Sequence, residues 1–340
     1  MSSIVSIIIP CYNGEKFIDN SIESVYIQDY SPLELIVVDD ESTDGSAERI
    51  QAWQSKFTEK GNQLKYVYQK NRGLGGAIDT GLKHVTGAYL TLLDADDVFL
   101  PDAISKKARF LDEYPDYAGV RNNGWRVCGE ERRLFINSEE EKKITNLFTA
   151  LSFGKTNNWA GTYMIRTALL FEAYPDRNIN PSRFGQNFQI LLPISYHRKF
   201  GYIDEPLMEY RIQKNSHSKS SNPEKQYKLD EINAKGWRDI YMDILDRFVT
   251  DPQEYATYLA GYNSVFYRGA MLRAAAHAQK ENLWESYRQL CKTGYASLND
   301  HIIYASAMRS PVVIPLKIAR RLKNIIEKSR RGVVGATSNR

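Results

Sequence analysis

The densest group of chemistry-bearing side chains is Asp94-Ala95-Asp96-Asp97, three carboxylates in four residues. At neutral pH crowded anions repel, and a hard divalent cation with oxygen ligands relieves them. Mg²⁺ or Mn²⁺ held by one or two carboxylates completes its shell with water and substrate phosphates. The plainer alternative is an acidic cap on the next helix. A second group, Asp39-Asp40-Glu41-Ser42-Thr43-Asp44-Gly45, has four carboxylates in six residues. One of these can accept the imide N–H of a uracil ring, and Tyr12 in Pro10-Cys11-Tyr12-Asn13-Gly14 offers a face for stacking. Ser42, Thr43 and Asp44 can equally cap a helix. In Lys70-Asn71-Arg72-Gly73-Leu74-Gly75-Gly76 the two cations can compensate a diphosphate. The segment is not a dinucleotide fingerprint, because the third glycine position is Ile78.

Each group follows a short β-branched run: Ile4–Ile9, Leu35–Val38, Leu64–Tyr68 and Tyr89–Leu93. Helix-compatible stretches, Glu15–Gln28, Ser46–Phe57 and Leu74–Val85, separate the runs. This alternation predicts an α/β fold with a mostly parallel sheet flanked by helices. Ligands of such sheets bind beyond the carboxyl ends of the strands, so all four groups face one crevice. Pro101 opens a further helix that ends before Tyr114-Pro115. From Gly119 to about Asn222 the pattern is irregular. Beyond Pro223 it is helical, with Trp237, Ile240, Tyr241, Ile244, Leu245 and Phe248 on one face and Leu283, Tyr287, Leu290 and Cys291 repeating the rhythm.

The 340 residues are 42% hydrophobic and 25% charged, which excludes disordered and low-complexity classes. Cys11, Cys128 and Cys291 are too scattered for a disulfide framework or a thiolate metal site, which points to a reducing compartment. No apolar run reaches the ~18 residues of a membrane span, and the N-terminus lacks a signal-peptide pattern, so the expected location is the cytoplasm. The net charge of +4 hides an asymmetry: residues 309–340 have nine Lys and Arg against Glu327, a tail of +8 on a body of −4. In the tail, Leu316, Ile318, Leu322, Ile325 and Ile326 alternate with basic residues. Such a basic amphipathic segment can lie on the anionic inner face of the cell membrane, or pack on the domain as a solvated helix. The charge pattern does not favour a body that wraps nucleic acid.

PCYNGEKFI (Pro10 to Ile18), VVDDESTDGS (Val37 to Ser46), NRGLGGAIDTGL (Asn71 to Leu82) and YLTLLDADDVFLPDAI (Tyr89 to Ile104) together resemble the family 2 inverting glycosyltransferases of the glycosyltransferase A fold. EPLMEYRIQKNSHS (Glu205 to Ser218) is faintly similar to the family's closing segment. The resemblance implies a catalytic domain over 1–222, with a nucleotide-binding half (1–118) and an acceptor half (119–222). A helical extension (223–308) and the basic tail (309–340) follow. It implies that Pro10, Tyr12, Asn13, Asp39, Asp40, Arg72 and Asp94 contact the nucleotide. Asp96, with Asp94 and with Asp97 in support, would ligate Mn²⁺ or Mg²⁺ at the donor diphosphate, and His217 is a late metal-ligand candidate. The family places an acidic pair with the general base in its second half; here Gln186 and Asn187 hold those positions, and amides cannot take a proton. Asp176, ahead of Glu172, Asp204 and Glu205, is the candidate substitute base; the alternative is an acceptor hydroxyl that needs little deprotonation early in an oxocarbenium-like transition state. Gln186, Asn187 and Trp159 then line the acceptor pocket. The implied reaction is inverting transfer from a nucleoside diphosphate sugar, UDP-linked, to a saccharide acceptor of surface polysaccharide or glycoconjugate, with a lipid-linked acceptor suiting a membrane-docked tail. A catalytically silent sugar-nucleotide-binding protein is the alternative.

Overall fold

The computed structural model describes residues 3–212 and 222–309. Its sheet contains β1 (Val5–Cys11), β2 (Leu33–Asp40), β3 (Gln63–Gln69), β4 (Tyr89–Leu92), β5 (Val98–Phe99), β6 (Tyr117–Cys128), β7 (Glu131–Leu134), β8 (Tyr163–Arg166) and β9 (Lys199–Arg211). The strand order is β3-β2-β1-β4-β8-β6-β9-β5, with β7 beside β6. The first four strands are parallel, as the sequence pattern predicts. Beyond β4 the sheet is mixed: β8 runs antiparallel to both β4 and β6, whereas β6 and β9 are parallel with register shifts. Helices flank the sheet and form the C-terminal part.

The runs VSIIIPC and LELIVVDD are buried along their whole length, as strands covered on both faces must be. Val5, Ile7 and Ile9 join one core with Ile18, Ile22 and Val25 of the helix Ile18–Tyr26. The alternate residue Ile8 points to the helix Gly73–Leu82, where a Cβ on Gly81 would stand 2.7 Å from it. The helix expected over Ser46–Phe57 is two, Ser46–Gln51 and Gln54–Glu59. The helix expected from Pro101 begins at Ala103, because Asp102 takes a left-handed φ of 62°.

By contacts the chain divides into a unit of residues 3–151, 155–212 and 239–249 and a unit of 152–154, 222–238 and 250–309. The second is helical. Its helix Pro252–Ala276 starts with Pro252 and is capped by Asp251, whose carboxylate accepts the N–H groups of Gln253 and Glu254. Of the expected stripe on Pro223–Phe248, Ile240, Tyr241, Ile244 and Leu245 are buried and Trp237 is about half exposed. No helix among the described residues is long and apolar enough to cross a membrane. His217 and residues 310–340 of the tail lie outside the described residues.

Gly75 in NRGLGG serves packing. A Cβ on Gly75 would fall 1.9 Å from the Ser182 carbonyl oxygen and 3.0 Å from the Pro181 carbonyl carbon, both backbone atoms. Gly75→Ala therefore pushes the 181–185 loop off the helix and costs about 1–3 kcal/mol. Thermal melts should show that loss, and limited proteolysis should show faster cleavage at Arg183; an unchanged melt and cleavage rate would refute the packing role.

Candidate functional site

The order β3-β2-β1-β4 reverses direction at β1, so the crevice between the loops after β1 and β4 is the switch point where open α/β sheets bind ligands. Asp94-Ala95-Asp96-Asp97 forms the turn after β4, closed by the Asp97 N–H on the Asp94 carbonyl at 3.0 Å. One face of Ile18–Tyr26 braces it. The Ser21 hydroxyl lies 2.7 Å from the carbonyl oxygens of Ala95 and Asp97. Ser24 Oγ accepts the Phe99 N–H, and Gln28 bonds Leu100 and Ile104. The 3- and 4-residue spacing of Ser21, Ser24 and Gln28 is the sequence signal for this brace, and the motif reading passed over it.

The turn is electrostatically crowded. Burial, then the charge of Asp96, pushes Asp94 up to about 7. Asp96 is raised by burial, and Asp97 well above the usual range by burial and the charge of Asp94. Asp97 is wholly buried; its Oδ1 accepts the Arg211 N–H at 2.9 Å and its Oδ2 has no hydrogen-bond partner among the described residues. Among the described residues no lysine or arginine forms an ion pair with any of the three. Uncompensated hard oxygen donors of this kind fit a divalent cation, with Asp94 and Asp96 as the accessible pair. No group of three or more His, Cys, Asp or Glu among the described residues would hold a metal. Two protein carboxylates, with substrate phosphates and water, are the pattern usual for Mg²⁺.

The loops after β1 and β2 are stitched together. Asn13 gives its N–H to Ser42 Oγ and accepts the Thr43 N–H, Gly14 donates to Ser46 Oγ, and Glu15 donates to Asp44. Tyr12 is left half exposed on this frame, and Pro10 is buried within β1. Asp39 accepts the Ser42 N–H and the Tyr66 hydroxyl. Asp40 accepts from Gln69 Nε2, the Arg72 N–H and the Gly73 N–H, at 2.6, 2.8 and 2.8 Å. Both carboxylates thus anchor neighbouring loops, with Asp40 Oδ2 keeping one lone pair. The Arg72 guanidinium lies along its own helix, 3.2 Å from Asp79. At the end of β1 the Cys11 thiol is buried and raised to about 11, first by burial, which removes it as a nucleophile.

From the second half of the unit, Tyr163 and Tyr210 are both raised by burial and then by carboxylates of the turn, Asp94 for the first and Asp97, Asp94 and Asp96 for the second. Tyr163 donates its hydroxyl to Asn187 Oδ1 at 2.8 Å, and Asn187 Nδ2 donates to the Asn158 carbonyl. Asn187 is thereby tied through Tyr163 to the acidic turn, while Gln186 is half-buried at the start of the helix Gln186–Ser195. The Trp159 ring stacks on Phe135 with centroids 4.3 Å apart, and Phe135 packs against Tyr210.

Asp176 is not brought to this group. It is exposed, and its neighbour Arg177 bonds the Val85 carbonyl just before β4, a strand's length from the turn that follows β4. The other substitutes are ion-paired: Glu172 with Arg198, Asp204 with Lys142 and Glu205 with Lys106. Asp204 is held below the usual carboxylate range, first by Lys142, which makes it a weaker base.

Residues 6–171 match the model of glycosyl transferase family 2, and that part of the chain belongs to the family. The chain is similar to an uncharacterized glycosyltransferase of Rickettsia felis (36% identity over 216 residues, 61% of this chain and 33% of that protein). It is also similar to the glycosyltransferase GlyA of Streptococcus pneumoniae (28% over 230 residues, 63% of this chain and 31% of that protein). It spans from 20% to 47% of the length of the curated relatives it matches. In fold it resembles S. aureus TarS 1-349 in complex with UDP-GlcNAc, with a TM-score of 0.61 at 19% identity over 98% of this chain and 92% of that one. A mannosyltransferase of Pyrobaculum calidifontis in complex with GDP-Man and Mn²⁺ gives 0.56 at 18% identity over 96% and 88%.

Proposed function

We propose that the chain is an inverting glycosyltransferase that moves a sugar from a UDP-linked donor to a saccharide acceptor of surface polysaccharide or glycoconjugate. One observation carries the reading: a braced turn of uncompensated carboxylates at the carboxyl end of the switch-point strand, beside a stitched loop that presents Tyr12. In this reading Tyr12 stacks on the base, the free lone pair of Asp40 takes its imide N–H, and Asn13 and Asp39 hold the loop in shape. Asp94 and Asp96 would hold a divalent ion, which when bound would supply positive charge to the departing diphosphate. Arg72 joins the nucleotide by turning from Asp79. Trp159, backed by Phe135, offers a face to the acceptor sugar, and Asn187 fixes the neighbouring Asn158 carbonyl. The UDP and GDP-Man complexes of the structural neighbours support a nucleotide-sugar donor in general. Catalysis is assigned to 1–222, and the basic tail is assigned to an anionic membrane surface.

The amide at Asn187 favours a second reading, a protein that binds the sugar nucleotide without turning it over. In the first reading the acceptor hydroxyl attacks the anomeric carbon with its proton still on as the bond to the departing diphosphate breaks, and the proton passes to water once the new glycosidic bond has formed. Calorimetry with UDP-, GDP- and TDP-sugars, with and without Mn²⁺, decides. A UDP-sugar bound with Mn²⁺ and hydrolysed or transferred supports the enzyme; saturable binding without product supports the silent protein. No binding of any of them overturns both.

A further inference from the structure

At the end of the sheet opposite the acidic turn, a depression of about 430 Å³ opens beside the start of β4 and the end of β8. Two arginines line it. Arg166 lies over the Tyr89 ring, and its Nε and one terminal nitrogen bond the carbonyls of Tyr117, Leu111 and Tyr114. Arg177 lies 4.2 Å over the Phe171 ring and uses one terminal nitrogen on the Val85 carbonyl. Among the described residues neither guanidinium forms an ion pair; Arg177 keeps spare N–H groups for the depression, and Arg166, bonded to three carbonyls and beside the Tyr89 hydroxyl, keeps fewer. Two carboxylates bond lining residues and both have partners: Glu34 accepts from Ser6, Lys65 and Thr86, and Asp112 accepts the Tyr89 hydroxyl beside Arg166. A third lining residue, Thr167, is 5% exposed, and among the described residues its hydroxyl is buried without a hydrogen-bond partner. A buried hydroxyl left unmet costs about 1–3 kcal/mol.

We infer that this depression is a second binding site, for a phosphoryl group, separate from the strand-end crevice. Guanidinium groups with spare N–H donors match the several oxygens of a phosphoryl group, and the Thr167 hydroxyl adds a donor where no acceptor now faces it. The partly buried Phe171 ring beside Arg177 suits an organic body attached to the phosphate. A soluble diphosphate and a lipid phosphate headgroup share this chemistry. The inference stands without the donor-site reading, since no residue is common to both.

Calorimetric titration of the full chain with pyrophosphate in EDTA tests it, because chelation removes metal-dependent binding at the acidic turn. The expected result is saturable binding that Arg177→Gln weakens at least tenfold and Thr167→Val about three- to tenfold, with Asp96→Ala unchanged. Arg177→Gln spares the carbonyls held by Arg166, and Thr167→Val keeps shape, so the two check each other if one melts early. Dihexanoyl phosphatidic acid is the second arm. Tighter binding than pyrophosphate, equally sensitive to Arg177→Gln, assigns a lipid phosphate; the reverse order assigns a soluble diphosphate. No saturable binding of either probe overturns the site, as does binding that both variants leave intact.

Discussion

Asp96→Ala lowers the Mn²⁺-dependent affinity for UDP at least a hundredfold and leaves the fold intact. The expected size follows from the arrangement of the turn. Only Asp94 and Asp96 are accessible donors, because Asp97 is wholly buried and gives one oxygen to the Arg211 N–H. Removing one of two protein ligands takes half the protein's share of the metal's charge compensation, and a cation with one carboxylate gains little over its hydrated state. The fold should not suffer. Asp96 makes no ion pair among the described residues, and its charge raises Asp94, so its removal relieves a repulsion in the metal-free protein. The metal-free variant therefore melts at or above the wild-type temperature while UDP binding is lost. Calorimetry and melts on the same samples check both halves. UDP affinity within threefold of wild type in the presence of Mn²⁺ would remove Asp96 from the site, and a lowered melt would make the binding loss uninformative about ligation.

The parts that sequence reading reached are those whose information is local. VSIIIPC and LELIVVDD read as buried strands because both faces are covered, and the clusters after them needed only chain order to fall on one edge. The second half hid for the opposite reason. β6 carries buried Arg121, Asn122 and Asn123; Arg121 bonds Thr156 and Ile144 and Asn123 bonds Ile136, residues further along the chain. A strand of that composition shows no apolar alternation, and its parallel pairing with β9 through register shifts leaves no periodic trace. Site roles blurred in the same way. Asp40 looks from the sequence like a ligand-facing carboxylate, yet three donors about 30 residues away close on it, a fact of tertiary register. Asp176 fails as a base on topology: β8 runs antiparallel to β4, so the helix and turn after β8 emerge at the wrong end of the sheet. Asn187 was legible as a neutral substitution, but its link through Tyr163 to the acidic turn required the fold.

Lys107→Met raises stability at neutral pH by several kcal/mol, and the gain disappears in alkali. Lys107 is wholly buried on the helix Ala103–Glu113, with its amine 4.4 Å from the Phe99 ring centre and 3.2 Å from the Gly161 carbonyl. No carboxylate pairs with it among the described residues, and burial lowers it from 10.5 to about 7. Between those two values the unfolded chain binds a proton that the folded chain does not, so wild-type stability rises as pH increases from about 7 to 10.5. Below about 7 both states are protonated and the burial penalty is imposed in full, on the order of 5 kcal/mol. Methionine keeps the length and apolar stem, places sulfur near the Phe99 ring, and removes the charge. It also leaves the Gly161 carbonyl without this donor, a cost of about 1 kcal/mol. The difference between variant and wild type isolates this lysine from every other titrating group. Urea unfolding at pH 6.5, 8 and 10 should show the advantage of the variant shrinking steadily and reversing to a small deficit at the top. Parallel stability curves for the two proteins across that range would mean that the amine is charged in the folded state, with a solvated or paired environment in place of the apolar one between Phe99 and Gly161.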